Sequence, residues 1–189
     1  MSTRATVAWI VGLGAVVSLA GDACHVASGT TRYTWDGVPV IWKSAIWFPV
    51  LVVAGVLALA DTGRRLATRF PAARMRGRAD VLPAAAAVLA LYALTAALHG
   101  QSTTVSVILT AAVAIVIWGL WDPSPGAAFG GAIAAVAGPL AEIAIVAAGA
   151  AEYTHGSDGL AGVAPWLPAL YFAAGAVAFR LWDALQRPA

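Results

Sequence analysis

The sequence predicts an all-α integral membrane protein, a bundle of six transmembrane helices with both termini cytoplasmic. Three observations carry this. Hydrophobic residues make up 61% of the 189-residue chain, charged residues only 11%, and mean hydropathy is +0.83. A soluble domain carries about 25% charged residues, because its surface must face water. The apolar residues fall into six runs, each near the roughly 20 residues that cross a hydrocarbon core. The basic residues concentrate at one end of the predicted bundle.

The six runs span about 6–27, 40–60, 81–98, 103–120, 127–151 and 166–185 and form a single domain. The first follows Arg4 and contains Ser18-Leu19-Ala20, which resembles a signal-peptide cleavage site. Its length, and polar residues embedded beyond Ala20, favour a retained helix. The third run is short and rich in alanine. Between the second and third lie Arg64, Arg65, Arg69, Arg74, Arg76 and Arg78. Under the positive-inside rule this segment stays cytoplasmic. Six crossings then place Arg4, Arg180 and Arg187 on the same side, leaving only Arg32 and Lys43 opposite. The abundance of Ala, Gly, Val and Arg suggests a GC-rich bacterial source, hence a multi-pass protein of a bacterial plasma membrane.

Ionisable groups inside lipid cost roughly 2.5–3.5 kcal/mol on insertion scales, so each needs a reason. Glu142 lies within the fifth run, three residues after Pro139, which removes a backbone donor. It can bond a neighbouring helix, bond a lipid hydroxyl or carry protons. Asp22 and His25 share a face near the outer end of the first helix, as a polar pair or a metal-ligand fragment. His99 and His155 lie in other segments, so no metal site is expected. Tyr92 and His99 stand two turns apart on the third helix; Trp118 and Trp121 flank the inner end of the fourth. Interface anchoring and ligand contact are both open for these residues. Gly126 and Gly130 form a small-xxx-small pair of the kind that lets helices approach closely, which leaves a homo-oligomer open.

Cys24 is the single cysteine, so no intrachain disulfide forms. No basic stretch interleaved with aromatics points to nucleic acid. Phosphate loops, His-Glu-x-x-His helices and Gly-x-Ser-x-Gly elbows are lacking, and no cofactor is expected.

The last third of the chain resembles the Insig family of sterol-responsive membrane regulators. The family has a tryptophan-containing helix end followed by Phe-Asp-Arg-Ser-Arg-Ser-Gly. Here the matching stretch runs from Trp118 through Trp121, Asp122, Ser124 and Gly126. A Tyr-Thr pair follows at Tyr153-Thr154, a loop aspartate at Asp158, Trp-Leu-Pro at Trp166-Leu167-Pro168 and Phe-x-x-Gly at Phe172–Gly175. An Ala-x-Trp-x-Pro match, Ala45 to Pro49 and including Trp47, sits at the second helix. The resemblance implies six helices, cytosolic termini and a central lipid pocket without catalysis. It also implies that Trp118 forms pocket wall and that Asp122 is a structural or partner residue on the cytosolic face. Two departures bear on this. Both arginines of the family's Arg-Ser-Arg-Ser segment are replaced by prolines, and Val105 stands where a polar glutamine is expected. The expected function is therefore non-enzymatic binding of a membrane lipid, either sterol-like or a neutral glycerolipid such as diacylglycerol. Trp118, Glu142, Tyr92, His99, Trp47 and His25 are the candidate lipid contacts, with Asp122, Gly126, Trp166 and Pro168 in structural or partner roles. A lipid-acting membrane enzyme using Glu142 or His99 is one alternative, and a purely structural membrane protein is the other.

Overall fold

The computed structural model describes residues 1–35, 37–71, 75 and 77–187. Arg74 and Arg76 of the orientation signal lie outside the described residues. Six helices account for most of the chain: α1 Thr3–Ser28, α2 Trp47–Arg65, α3 Arg78–Ala97, α4 Thr103–Trp121, α5 Pro125–Ala147 and α6 Leu167–Gln186. Helices satisfy every backbone donor and acceptor internally, which is what a lipid environment demands. Three of them start on a serine cap. Ser2, Ser102 and Ser124 each accept a hydrogen bond from the backbone N–H three residues on, and Pro125 follows Ser124 as a preset first residue. α1 ends on Gly29, whose φ of 78° suits glycine.

The second and fifth runs begin or end differently from expectation. Residues 40–46 do not start a helix. Val40–Ile41 (β2) and Ser44–Ala45 (β3) pair as an antiparallel hairpin, and α2 begins only at Trp47. Val40, Ile41 and Ile46 are β-branched, which favours extended backbone, and apolarity alone cannot separate a helix turn from a strand. At the far end α5 stops at Ala147. Ala151–Tyr153 (β4) instead pairs antiparallel with Thr31–Tyr33 (β1), Arg32 facing Glu152. This two-stranded strap ties the exit of α1 to the exit of α5. Thr154 reinforces it by donating through its hydroxyl to Gly29 O at 2.7 Å.

Among the described residues five helices, α1 to α5, are long and apolar enough to cross a membrane. α6 is less apolar, carrying Arg180 and Asp183, yet every residue from Gly175 to Leu181 is buried. It packs against α5, α2, α4, α3 and α1 and forms the axis of the bundle. The apolar helices shield it from lipid, so Arg180 is surrounded by protein and not by hydrocarbon.

Glycines set the spacing around this axis. A Cβ added at Gly63 on α2 would lie 1.9 Å from Phe179 O, and one at Gly175 would lie 2.3 Å from the Ala134 Cβ on α5. Gly130, Gly131 and Gly138 likewise press on Phe179, Phe172 and Tyr171. Gly126 is part of the same seam: its missing side chain makes room for the Arg180 guanidinium, 2.4 Å from an added Cβ, and for Phe70. The Gly126/Gly130 pair therefore faces α6 of its own chain, and as evidence for a homo-oligomer it is withdrawn. Hydrocarbon tails are as apolar as leucine, so close van der Waals packing of this kind holds membrane helices together.

Gly175→Ala should push α5 from α6 and cost about 1–3 kcal/mol. Gly12→Ala, where an added Cβ meets nothing within 4 Å, should be neutral or stabilise by about 0.5–1 kcal/mol. Thermal unfolding of both variants in one detergent checks the contrast.

Candidate lipid-binding groove and its polar end

Because α6 fills the centre, α2 and α5 both rest on it and barely touch each other. Between them lies a cavity of about 410 Å³, within the range of small-molecule sites. Its floor is Ala174, Gly175 and Ala178 of α6. Leu51, Val52 and Leu59 of α2 form one wall, and Ile133, Ala137 and Ala141 of α5 the other. Small residues on floor and wall create the space: larger side chains at Ala137 or Ala141 would fill it. Apart from Thr62, whose hydroxyl donates to Ala58 O, the lining is apolar until one end, where Glu142, Tyr171 and Tyr92 converge.

Glu142 faces this end from α5 and is 8% exposed. Its Oε1 accepts a hydrogen bond from the Tyr171 hydroxyl on α6 at 2.8 Å. Beyond it, under the β1–β4 strap, lies a small polar vestibule of about 20 Å³, enough for a single water-sized group. Phe48, Tyr92, Glu142, Ile145 and Tyr171 line both spaces, so the groove leads into the vestibule. Asp22, His25, Thr31, Arg32, Tyr33, Trp47 and Tyr153 also line it. Asp22 accepts from the Tyr33 hydroxyl at 2.5 Å, and burial followed by the nearby Asp22 charge pushes the Tyr33 phenol upward, so it keeps its proton. Trp47 Nε1 and Thr31 Oγ1 are buried there without a hydrogen-bond partner among the described residues. An orphaned buried donor costs about 1–3 kcal/mol unless something meets it.

Asp22 and His25 do not pair with each other. The His25 Nε2 and the Thr95 hydroxyl of α3 are 2.8 Å apart, and the imidazole lies between the rings of Tyr92 and Trp166, at centroid distances of 5.5 and 5.1 Å. No group of three metal-ligating side chains occurs among the described residues. Trp166 precedes α6, and Pro168 occupies its first turn, where a missing N–H is harmless. These contacts also build α1 into the bundle: an added Cβ at Gly21 would lie 2.6 Å from the Tyr92 ring. His99 lies past the end of α3, its Nδ1 buried without a partner among the described residues, and lines neither space.

Trp118 also lines neither the groove nor the vestibule. It sits on α4 at the opposite end of the bundle, edge-on to Phe172 at 6.5 Å, with its indole N–H 3.4 Å from Ser124 O. There it adjoins a cluster that sequence reasoning missed. Arg180, 1% exposed at its side chain, forms an ion pair with Asp122 at 2.6 Å. It also donates to the Ser124 hydroxyl at 2.6 Å and to Phe70 O at 2.7 Å. Ser124 in turn donates to Asp122 at 3.0 Å. One side chain of the axial helix thus holds both the α4–α5 junction and the middle of the arginine-rich segment. The signal was a lone arginine inside the sixth apolar run, with Asp122 as the acidic residue predicted at the same end. Tyr171 gave no comparable signal, because nothing in spacing assigns a tyrosine to a carboxylate on another helix.

These features define a polytopic helical membrane protein with a groove between helices. No family model matches the chain. It is 44% identical over 172 residues, 90% of this chain and 82% of the relative, to the INSIG protein homolog of Mycolicibacterium vanbaalenii. The crystal structure of the mycobacterial Insig homolog MvINS, from the same organism, aligns at a TM-score of 0.86 with 41% identity. It covers 98% of this chain and 97% of that one. A cross-linked MvINS trimer aligns at 0.85 with 42% identity, covering 95% and 93%. The chain belongs to the Insig family.

Removing one partner of a buried ion pair strands the other. Arg180→Met should cost about 3–5 kcal/mol, and adding Asp122→Leu should restore most of it. Denaturation of the single and double variants in the same micelle measures both steps.

Proposed function

We propose that this protein is a non-enzymatic, lipid-binding membrane protein that holds a sterol-like or neutral glycerolipid, such as diacylglycerol, between α2 and α5. The observation that carries the reading is the 410 Å³ groove on α6, apolar except for Thr62, whose hydroxyl donates to Ala58 O, and for the Glu142, Tyr171 and Tyr92 cluster at one end. A lipid's hydrocarbon gains little by leaving other hydrocarbon, so selectivity rests on shape and on hydrogen bonds at that end. There the orphaned Trp47 N–H and Thr31 hydroxyl, with the Glu142–Tyr171 pair, suit a small uncharged head bearing hydroxyl or carbonyl groups. A phosphate would face two carboxylates, Asp22 and Glu142, while Arg32 is already engaged by Glu152. Occupation alters function only insofar as the ligand favours one arrangement of helices over another. Because Arg180 joins the groove's floor helix to the arginine-rich segment, a shift of α6 reaches that face directly. The basic residues support placing this face and both termini in the cytoplasm, with α6 as a sixth span. The trimer seen for MvINS supports a homo-oligomer here, through surfaces other than the Gly126 seam.

Catalysis is the weaker reading. Asp22, Glu142 and His25 do converge, but each is already engaged, by Tyr33, Tyr171 and Thr95 respectively.

Native mass spectrometry of the detergent-purified protein, with extracted lipids identified, tests the binding reading. One neutral lipid should be enriched at fixed stoichiometry, lost in Ala137→Trp and retained in Trp118→Ala. Tyr171→Phe should weaken binding about tenfold or less, the worth of one hydrogen bond. Bulk lipid in host proportions in every variant would leave the groove without a ligand role.

A further inference from the structure

The β2–β3 hairpin is built at odds with its own turn. Ile41 pairs with Ser44, so the loop is two residues, Trp42 and Lys43, and both have positive φ, 50° and 73°. That geometry belongs to a turn normally made by Asn-Gly or Gly-Gly, because side chains strain it. Here the strained positions carry a tryptophan and a lysine. Trp42 is 63% exposed, and Val40, Ile41 and Ile46 around it are exposed too. Lys43 is exposed and forms no ion pair among the described residues. In water such a hairpin would be an apolar liability placed on an unfavourable turn.

Its position gives it another solvent. The last residues of α2 are charged: Asp61 pairs with Arg64 and Arg65 on the arginine-rich face. The apolar part, from Trp47 to Ala60, at 1.5 Å per residue rises about 21 Å, short of the roughly 30 Å hydrocarbon core. The apolar hairpin that precedes Trp47 covers the remainder and carries Trp42 and Lys43, at its turn, to the headgroups of the other leaflet. Its exposed apolar face continues the lipid-facing surface of α2, where Val50 and Leu51 are exposed. Tryptophan and lysine are the residues suited to that layer, the indole by its amphipathic ring and the ammonium by its attraction to phosphate.

We propose that the β2–β3 hairpin is a membrane-interface anchor that seats Trp42 in the headgroup layer of the leaflet opposite the arginine-rich face, with Lys43 against phospholipid phosphates. The anchor fixes the depth of the α2 entrance, hence of Trp47 and Phe48, which line the vestibule beside the groove. It does not depend on what the groove holds, and it stands even if the groove binds nothing.

Nitroxide labelling in phosphatidylcholine nanodiscs tests it, in a Cys24→Ala background. Ile41→Cys carries the label, leaving Trp42 and Lys43 in place, and His155→Cys in the α5–α6 connection is the aqueous reference. The label at 41 should be relaxed several-fold more by oxygen, relative to a water-soluble nickel chelate, than the label at 155. Adding Trp42→Ser should move the label at 41 toward the aqueous ratio, while the groove's lipid content stays unchanged. Equal nickel accessibility at 41 and 155, or no response to Trp42→Ser, would overturn the proposal.

Discussion

Close packing of α6 against its neighbours is the constraint on which everything else rests. A bilayer offers no hydrophobic force to drive one apolar helix onto another, so the bundle needs backbone contacts short enough for dispersion to hold them. Gly63, Gly130, Gly131 and Gly175 supply that approach. The result is an axial helix surrounded on most sides, and a groove on the side where α2 and α5 share its surface without meeting. The groove is thus a consequence of the packing, with α6 as its floor.

The polar groups fall at the two ends of this axis, and they do different work. At one end Arg180 and Asp122 are a fully buried ion pair supported by Ser124 and by the Phe70 carbonyl, which fixes the loops of the arginine-rich face. At the other, Glu142, Asp22 and four tyrosines surround a space large enough for one small polar group, closed over by the β1–β4 strap. Between them the lining is apolar except for Thr62, whose hydroxyl donates to its own helix at Ala58 O. An amphipathic molecule lying along α6 would meet a cluster of polar partners at the strap end. This asymmetry gives the groove a direction.

The helices were legible in the sequence because length and hydropathy determine them almost alone. The strands were not. Residues 40–46 are as apolar as a helix start, and only β-branching at Val40, Ile41 and Ile46 hinted otherwise. Glu142 stood out as a lone carboxylate in lipid, and it does lie where the groove turns polar. Its partner Tyr171 was invisible, because contacts between helices leave no periodic trace in one sequence. The resemblance to the family pointed to Trp118 as pocket wall, whereas here that side chain packs on Phe172 beside the Asp122–Arg180 end and lines neither the groove nor the vestibule. The Gly126/Gly130 pattern correctly signalled close approach, but a sequence cannot say whether the approaching helix belongs to the same chain.

Photolabelling with a diacylglycerol carrying a diazirine in one acyl chain tests the central claim most directly. After irradiation in nanodiscs and peptide mapping, adducts should concentrate on the groove walls, at Leu51, Val52, Ala137 and Ala141, and should be competed by unlabelled diacylglycerol. Labelling spread over the lipid-exposed face of α4, at Ile108 and Ile115, as heavily as over the groove, and unaffected by competitor, would contradict it.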